Sequence, residues 1–316
     1  MVTFSGLAGY SSFFLSMTLI NVIAVLGLNL QWGQTGLFNV GVSAFIAIGA
    51  YACALLTTTD PALGACHLPM AWGWIAAMLL SGIACLVLGA MTLRLRTDYL
   101  AITTFGFAVV VMLALQNLQS VTGGPLGVSL IPRPWETLAS NPLSFGLANL
   151  LLLSFIVLVL YVGLERLAHS PWGRVLKAIR EDEDAAASLG KNPTVYRLQA
   201  FALGGALMGL AGATQASFIG FIAPENFQAS LTFQIWTMLI IGGAGSNAGA
   251  IFGTALVWAL WSSTGLLTSS VFPAEDQARA AALRIVAIGI LLAVTLIWRP
   301  HGLLTRSKTV TTSDKA

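Results

Sequence analysis

Charged residues make up 9% of this 316-residue chain. The groups that could do chemistry are therefore few. Its three histidines, His67, His169 and His301, and its three cysteines, Cys53, Cys66 and Cys85, stand at no spacing that suits a zinc site or a disulfide framework. The cysteines read as small buried hydrophobes, and no metal ligand is assigned. No Ser/His/Asp constellation and no carboxylate pair falls inside an apolar run, so no catalytic residue is assigned and the chain is not read as an enzyme. Its Gly190-Lys191 pair is followed by Asn192 and has Ala185 where the first glycine of a phosphate loop belongs, so ATP hydrolysis by this chain is not expected. The string GGAGSNAG at 242–249 lies in a hydrophobic run, follows no soluble strand and lacks the G-x-G-x-x-G register of a dinucleotide site.

What remains is a charged docking segment, residues 170–193, SPWGRVLKAIREDEDAAASLGKNP. Ser170 suits an N-cap and Pro171 the first helical position, and Trp172, Val175, Leu176 and Ile179 then share one face. Arg174, Lys177 and Glu181 stand on the other. Lys177–Glu181 and Arg180–Asp184 have the four-residue spacing that supports an exposed helix by roughly 0.2 to 0.5 kcal/mol per pair. A second short helix is expected next, with Asp182, Glu183 and Asp184 at its positive end, Ala185 to Leu189 filling it and Gly190 closing it in the left-handed conformation. Asn192 and Pro193 repeat the cap-and-proline start.

Such a segment needs a scaffold, and the composition says of what kind. With 57% hydrophobic residues and a mean hydropathy of +0.84, the chain belongs in a bilayer. Apolar windows long enough to cross can be drawn about nine times, with eight to ten possible. They lie near 11–30, 36–56, 72–93, 99–116, 143–163, 198–219, 231–250, 251–268 and 283–298. The first two, and the seventh and eighth, join so tightly that broken or re-entrant helices are possible. The expected fold is an all-α polytopic membrane protein, a single integral-membrane unit over 1–316 with a coupling loop at 164–197 and a C-terminal tail at 299–316. The first charged residue is Asp60, so no cleaved signal peptide is expected.

The basic residues set the orientation. Arg94, Arg96, Arg166, Arg174, Lys177, Arg180, Lys191, Arg197, Arg299, Arg306, Lys308 and Lys315 fall on one side, against Arg133, Arg279 and Arg284 on the other. The positive-inside rule then puts the 164–197 loop and the C-terminus in the cytoplasm and the N-terminus outside. The net charge of +3 carries less meaning than this sidedness; lipid is the expected surrounding and nucleic acid is not an expected partner. No window holds an Asp, Glu, Lys, Arg or His in its middle, where proton-driven carriers keep a relay. The energy for transport is expected from elsewhere.

Two further patterns stand inside the windows. Gly205 and Gly209, and Gly245, Gly249 and Gly253, recur every four residues, the spacing that lets helix backbones approach; packing is their ordinary role. The polar break GLNLQWGQTGLFN puts Asn29, Gln31, Gln34, Thr35 and Asn39 where lipid contact is costly, so they are expected to face a cavity, another subunit or water. With Thr103, Thr104 and Gln116, chosen on polarity alone, Asn29, Gln31, Gln34 and Asn39 are the pathway-lining candidates.

Six blocks in order, GLNLQWGQTGLFNVGVSAFIAIGAYACALL, TDYLAITTFGFA, TGGPLG, SPWGRVLKAIREDEDAAASLG, IIGGAGSNAGAIFG and WRPHGLL, resemble the permeases of bacterial ABC importers for branched-chain amino acids, the M-type permease above all. The resemblance covers nearly the whole chain. It implies a bacterial inner-membrane subunit that forms half of a pathway with a second homologous permease, two ATP-binding subunits that hold ATP and Mg, and a periplasmic or extracellular solute-binding protein. This chain itself would carry no cofactor. Arg174, Lys177, Arg180, Glu181, Glu183, Asp184, Leu189 and Gly190 would couple to the ATPases, and Gly123, Gly124 and Gly127 would shape an outer turn near the binding protein. The alternative is a self-sufficient channel or ion-coupled carrier whose broken helices at 29–39 and 242–249 form an ion site from backbone carbonyls.

Overall fold

The computed structural model describes residues 4–60, 67–93, 97–136 and 142–271, with a few helical positions between 282 and 297. Among them the chain is all α-helical, an all-α polytopic membrane protein; the one β-type pairing is an isolated bridge between Val128 and Ile222. The helices are α1 (Phe4–Leu28), α2 (Val42–Thr57), α3 (Met70–Thr92), α4 (Thr97–Asn117), α5 (Gln119–Thr122), α6 (Pro142–His169), α7 (Pro171–Glu181), α8 (Glu183–Ser188), α9 (Pro193–Ile219), α10 (Ala229–Gly242) and α11 (Asn247–Val271). A π-helical turn, Asn29–Gln34, continues α1 without a break.

Among the described residues, five stretches are long and apolar enough to cross a bilayer: Gly9–Gln34, Met70–Thr92, Tyr99–Asn117, Leu143–His169 and Pro193–Ile219. Helices α2 and α10 have 16 and 14 residues. At 1.5 Å per residue they rise only about 24 and 21 Å, short of a hydrocarbon core about 30 Å thick. The tight junctions expected at both places thus take the form of shortened helices. The second window starts as the non-helical stretch 36–41 before α2, and the helix of the seventh ends at Gly242, well before 250. Gly243 and Gly245, at φ +106° and +93°, take conformations that no helix continues through. The ninth window, apart from those scattered positions, and the 299–316 tail lie outside the described residues.

Helix α9 is the centre, packed on α1, α2 and α3. Small residues permit this. A Cβ on Gly209 would sit 2.5 Å from the Ala77 carbonyl oxygen, one on Gly205 would enter Cys85 and one on Gly49 would enter the backbone of Gly209. With no hydrophobic driving force between helices in lipid, such close backbone approach is what holds them. Ser81 adds a polar tie, its Oγ 2.7 Å from the Gly205 carbonyl and 2.9 Å from that of Phe45. Gly249 and Gly253 likewise bring α11 onto Gly242 at the end of α10. Gly245 does not join them. It lies in the 243–246 turn rather than in a helix, so the four-residue glycine pattern there splits into a packing pair and a turn residue.

The two ends of the bundle differ. At one end Thr58 bonds to the Ser129 carbonyl, Val128 pairs with Ile222, and Arg133 bonds to the Ile219 carbonyl. Gly123, Gly124 and Gly127, all at positive φ, make the turn there. The other end gathers the π-turn, the 243–246 turn and the charged segment. Large apolar side chains on α3, α4 and α6, such as Met91, Ile102 and Leu151, are exposed, as lipid- or subunit-facing surfaces require.

Candidate coupling site

Helix α7 starts as its sequence dictates. The Ser170 Oγ accepts from the Gly173 amide at 3.3 Å, and Pro171 takes the first helical position. Leu176 and Ile179 are buried and Trp172 and Val175 half-buried, while Arg174, Lys177 and Glu181 are exposed. Asp182 then breaks the helix in an extended conformation and caps α8, accepting from the Ala185 amide at 2.9 Å. Gly190 closes α8 at φ +76° with its amide on the Ala187 carbonyl. Asn192 caps α9, accepting from Val195. The segment is held between α6, which runs to His169 and so continues past 164, and α9, which starts at Pro193.

The ion pairs differ from those that spacing suggests. Neither Lys177–Glu181 nor Arg180–Asp184 forms one among the described residues. The break at Asp182 takes Asp184 off the helix that carries Arg180. Glu183 instead pairs with Arg197 of α9 at 2.6 Å, and Arg180 Nη1 donates to the carbonyl of Gly33 in the π-turn. All eight coupling candidates are exposed, and two of them, Glu183 and Arg180, are also engaged within the chain. Arg174, Lys177, Glu181, Asp184, Leu189 and Gly190 stand on the exposed side, Leu189 with 81% of its surface free.

The polar break is placed differently from its expectation. Asn29, Gln31, Gln34 and Asn39 do not face a cavity or water; they are buried inside this chain. The Asn29 Oδ1 accepts from the Gly245 amide at 2.7 Å and its Nδ2 donates to Asn247 Oδ1 at 2.9 Å. Gln31 donates to the Phe201 carbonyl of α9 at 2.8 Å and accepts from Asn39 at 2.8 Å, and Thr35 donates to the Gln31 carbonyl. Gln34 donates to the Gly245 carbonyl at 3.2 Å. An unpaired amide in a dry interior costs about 1–3 kcal/mol, and each of these residues has a partner within the chain, Asn29 and Gln34 at the 243–247 turn, Gln31 on α9, and Thr35 and Asn39 on Gln31, while Gln34 Oε1 has none.

The start of α2 is closed in the same way. The amides of Val40, Gly41 and Ser43 are taken by Thr104 Oγ1, Asn39 Oδ1 and Thr232 Oγ1, at 3.0, 2.8 and 3.0 Å. Thr103, one residue on, bonds only back to Tyr99 within α4, and Gln116 lies near the other end of that helix. Of the seven pathway candidates, Asn29, Gln31, Gln34, Asn39 and Thr104 are buried and bonded to other parts of the chain, while Thr103 and Gln116 stand apart from them.

Sequence reading missed Glu165, Asn247, Thr232 and Trp236. Glu165 lies two residues past the fifth window, in the part of α6 read as loop, and its Oε2 accepts from Asn247 at 2.8 Å. Asn247 lies within GGAGSNAG, a string whose visible pattern is the spacing of its glycines. The Trp236 Nε1 donates to the Asn39 carbonyl at 2.9 Å, and its ring meets Trp32 and Phe38. No local signal marks it.

The family described as branched-chain amino acid transport system, permease component, matches residues 10–296. The chain is 35% identical over 314 residues to the high-affinity branched-chain amino acid transport system permease protein LivM of Salmonella typhimurium, covering 92% of this chain and 68% of that one. It is 25% identical over 318 residues to a probable LivM of Methanocaldococcus jannaschii, covering 92% and 91%. To LivH of Salmonella typhimurium it is 24% identical over 292 residues, covering 90% and 91%. No solved structure matches the chain.

Proposed function

The chain belongs to the branched-chain amino acid transport permease family, and from that premise we propose that it is one permease subunit of an ATP-driven importer for branched-chain or related amino acids. In this reading a second, homologous permease supplies the other half of the pathway, two ATP-binding subunits dock in the cytoplasm, and a solute-binding protein delivers from outside. The N-terminus lies outside and the C-terminus inside, as the basic residues require.

The observation that carries the reading is the α7–α8 segment. It is two capped helices whose apolar face is buried on the bundle and whose exposed face presents Lys177, Glu181 and the bare Leu189. A loop that served only orientation needs charge; it needs neither caps nor a seated face. An ATPase closing on this surface would shift α7 and α8 as a rigid body. The alternative ion site is disfavoured by occupancy. The carbonyls of Gly33, Asn39 and Gly245 already accept from Arg180, Trp236 and Gln34, and the first of these donors is a cation.

The test is to tag the C-terminus, solubilise the native membrane gently and identify what co-purifies. Two ATP-binding subunits and a second permease in near-equal amounts are expected. Recovery of this chain alone, from membranes whose other complexes stay whole, would overturn the reading. Uptake by this chain alone in ATP-free liposomes would establish the carrier instead.

A further inference from the structure

We propose that Arg180 is the positioning residue that ties the coupling helix to the π-turn of the first span, so that a displacement of α7 moves residues 29–34, and that it is not itself a contact for the ATPase. This rests on the reading of α7–α8 as the ATPase dock.

Arg180 stands in the last turn of α7, with Nη1 donating to the Gly33 carbonyl. Its path runs among three glycines. A Cβ on Gly36 would lie 3.5 Å from Arg180 Cγ, and one on Gly245 would lie 3.5 Å from Nη1. Gly33 has no room at all, since a Cβ there would meet Asn29 Oδ1 and, at 2.5 Å, the Gly245 amide nitrogen. The accepting carbonyl lies in the last turn of the α1–π-helix run, where carbonyls outlast their intrahelical donors and a cation is favoured by the helix dipole. A charge-assisted bond at such a place is among the stronger single ties available.

The turn so held is in turn tied to the bundle. Asn29 and Gln34 bind Gly245, Asn29 binds Asn247, and Asn247 binds Glu165 on α6, the helix that leads into α7. A run of polar contacts therefore links α6, α11, the π-turn and α7, and the chain itself closes the loop where α6 leads into α7. On the far side of the turn, Trp32 packs edge-on against Phe38 and Trp236, with ring centroids 5.1 and 5.4 Å apart. Trp32 and Phe38 are only half-buried. A π-helical stretch is a frequent functional hinge, and here a pull at Gly33 would carry Trp32 against its two aromatic neighbours. Lys177, Glu181 and Leu189 face outward and remain for the partner.

The experiment reconstitutes the whole transporter in liposomes and compares wild type with Arg180→Ala, Arg180→Lys and Lys177→Ala. It measures subunit ratio, ATP hydrolysis and uptake of labelled leucine. Arg180→Ala is expected to keep the ATPase subunits bound and hydrolysis within about twofold, while leucine imported per ATP falls about tenfold or more, the factor expected from losing about 1.4 kcal/mol or more of coupling. Loss of the ATPase subunits from Arg180→Ala, or an unchanged import per ATP, would overturn the proposal. Where Arg180→Ala does not assemble, Arg180→Lys decides, because it keeps the charge an ATPase partner would need but ends one bond short of the position from which Nη1 reaches the Gly33 carbonyl. Lower import per ATP with full association supports the tie, and unchanged import per ATP refutes it. A wild-type chain that recruits no ATPase would instead undo the parent reading.

Discussion

Asn29 and Asn247, 218 residues apart in sequence, meet side chain to side chain at 2.9 Å in the buried interior. The bond joins the end of the first span to the start of α11, and it leaves neither carboxamide to lipid. The consequences run from this pair outward.

Asn29→Leu strands the Gly245 amide and the Asn247 carbonyl oxygen at once. The expected loss is about 1–3 kcal/mol of stability, read as a lowered melting temperature of the solubilised protein. Asn247→Leu should cost a similar amount, and the double variant less than the sum, because the two share one bond. Strict additivity would show that the pair does not interact.

Gly209→Ala should be poorly tolerated. Its new methyl would lie 2.5 Å from the Ala77 carbonyl oxygen and from the Ser81 Cβ, and overpacking of this kind costs about 1–3 kcal/mol. Gly163→Ala on α6, with nothing within 4 Å, serves as the control. Monodisperse yield in size-exclusion chromatography is the measurement, and equal yields for the two would remove the close-packing account of α9.

Thr232→Val removes the oxygen that takes the Ser43 amide at the start of α2. A buried donor left unmet costs about 1–3 kcal/mol. Faster hydrogen exchange confined to the first turn of α2 is expected, with Thr104→Val producing the same effect at Val40. Unaltered exchange at both amides would mean that other acceptors or water hold the start of this helix.

Leu189→Asp touches a side chain that is 81% exposed and should leave stability within about 0.5 kcal/mol. The same variant is expected to reduce recovery of co-purifying ATP-binding subunits. Full recovery with normal leucine uptake would take Leu189 out of the dock.

Much of this molecule is written locally. Ser170, Asp182, Asn192, Pro171, Pro193 and Gly190 each specify a helix start or stop through their own backbone chemistry, so α7, α8 and the start of α9 were legible residue by residue. Apolar run length fixed the class, because a bilayer admits only helices or closed barrels. What periodicity does not carry is which distant group satisfies a buried polar atom. Arg180 has a textually obvious partner in Asp184, four residues on, and ignores it for a carbonyl 147 positions away. Asn29 and Gln31 show in the sequence only as polar groups too costly to face lipid; their partners at the 243–247 turn and on α9 appear only in the packed bundle. The sequence by itself determined the membrane class, the sidedness expected from the basic residues and the caps. Only the tertiary structure decided the partners, because hydrogen-bond satisfaction in a dry interior is a property of the whole packed bundle and not of any one stretch.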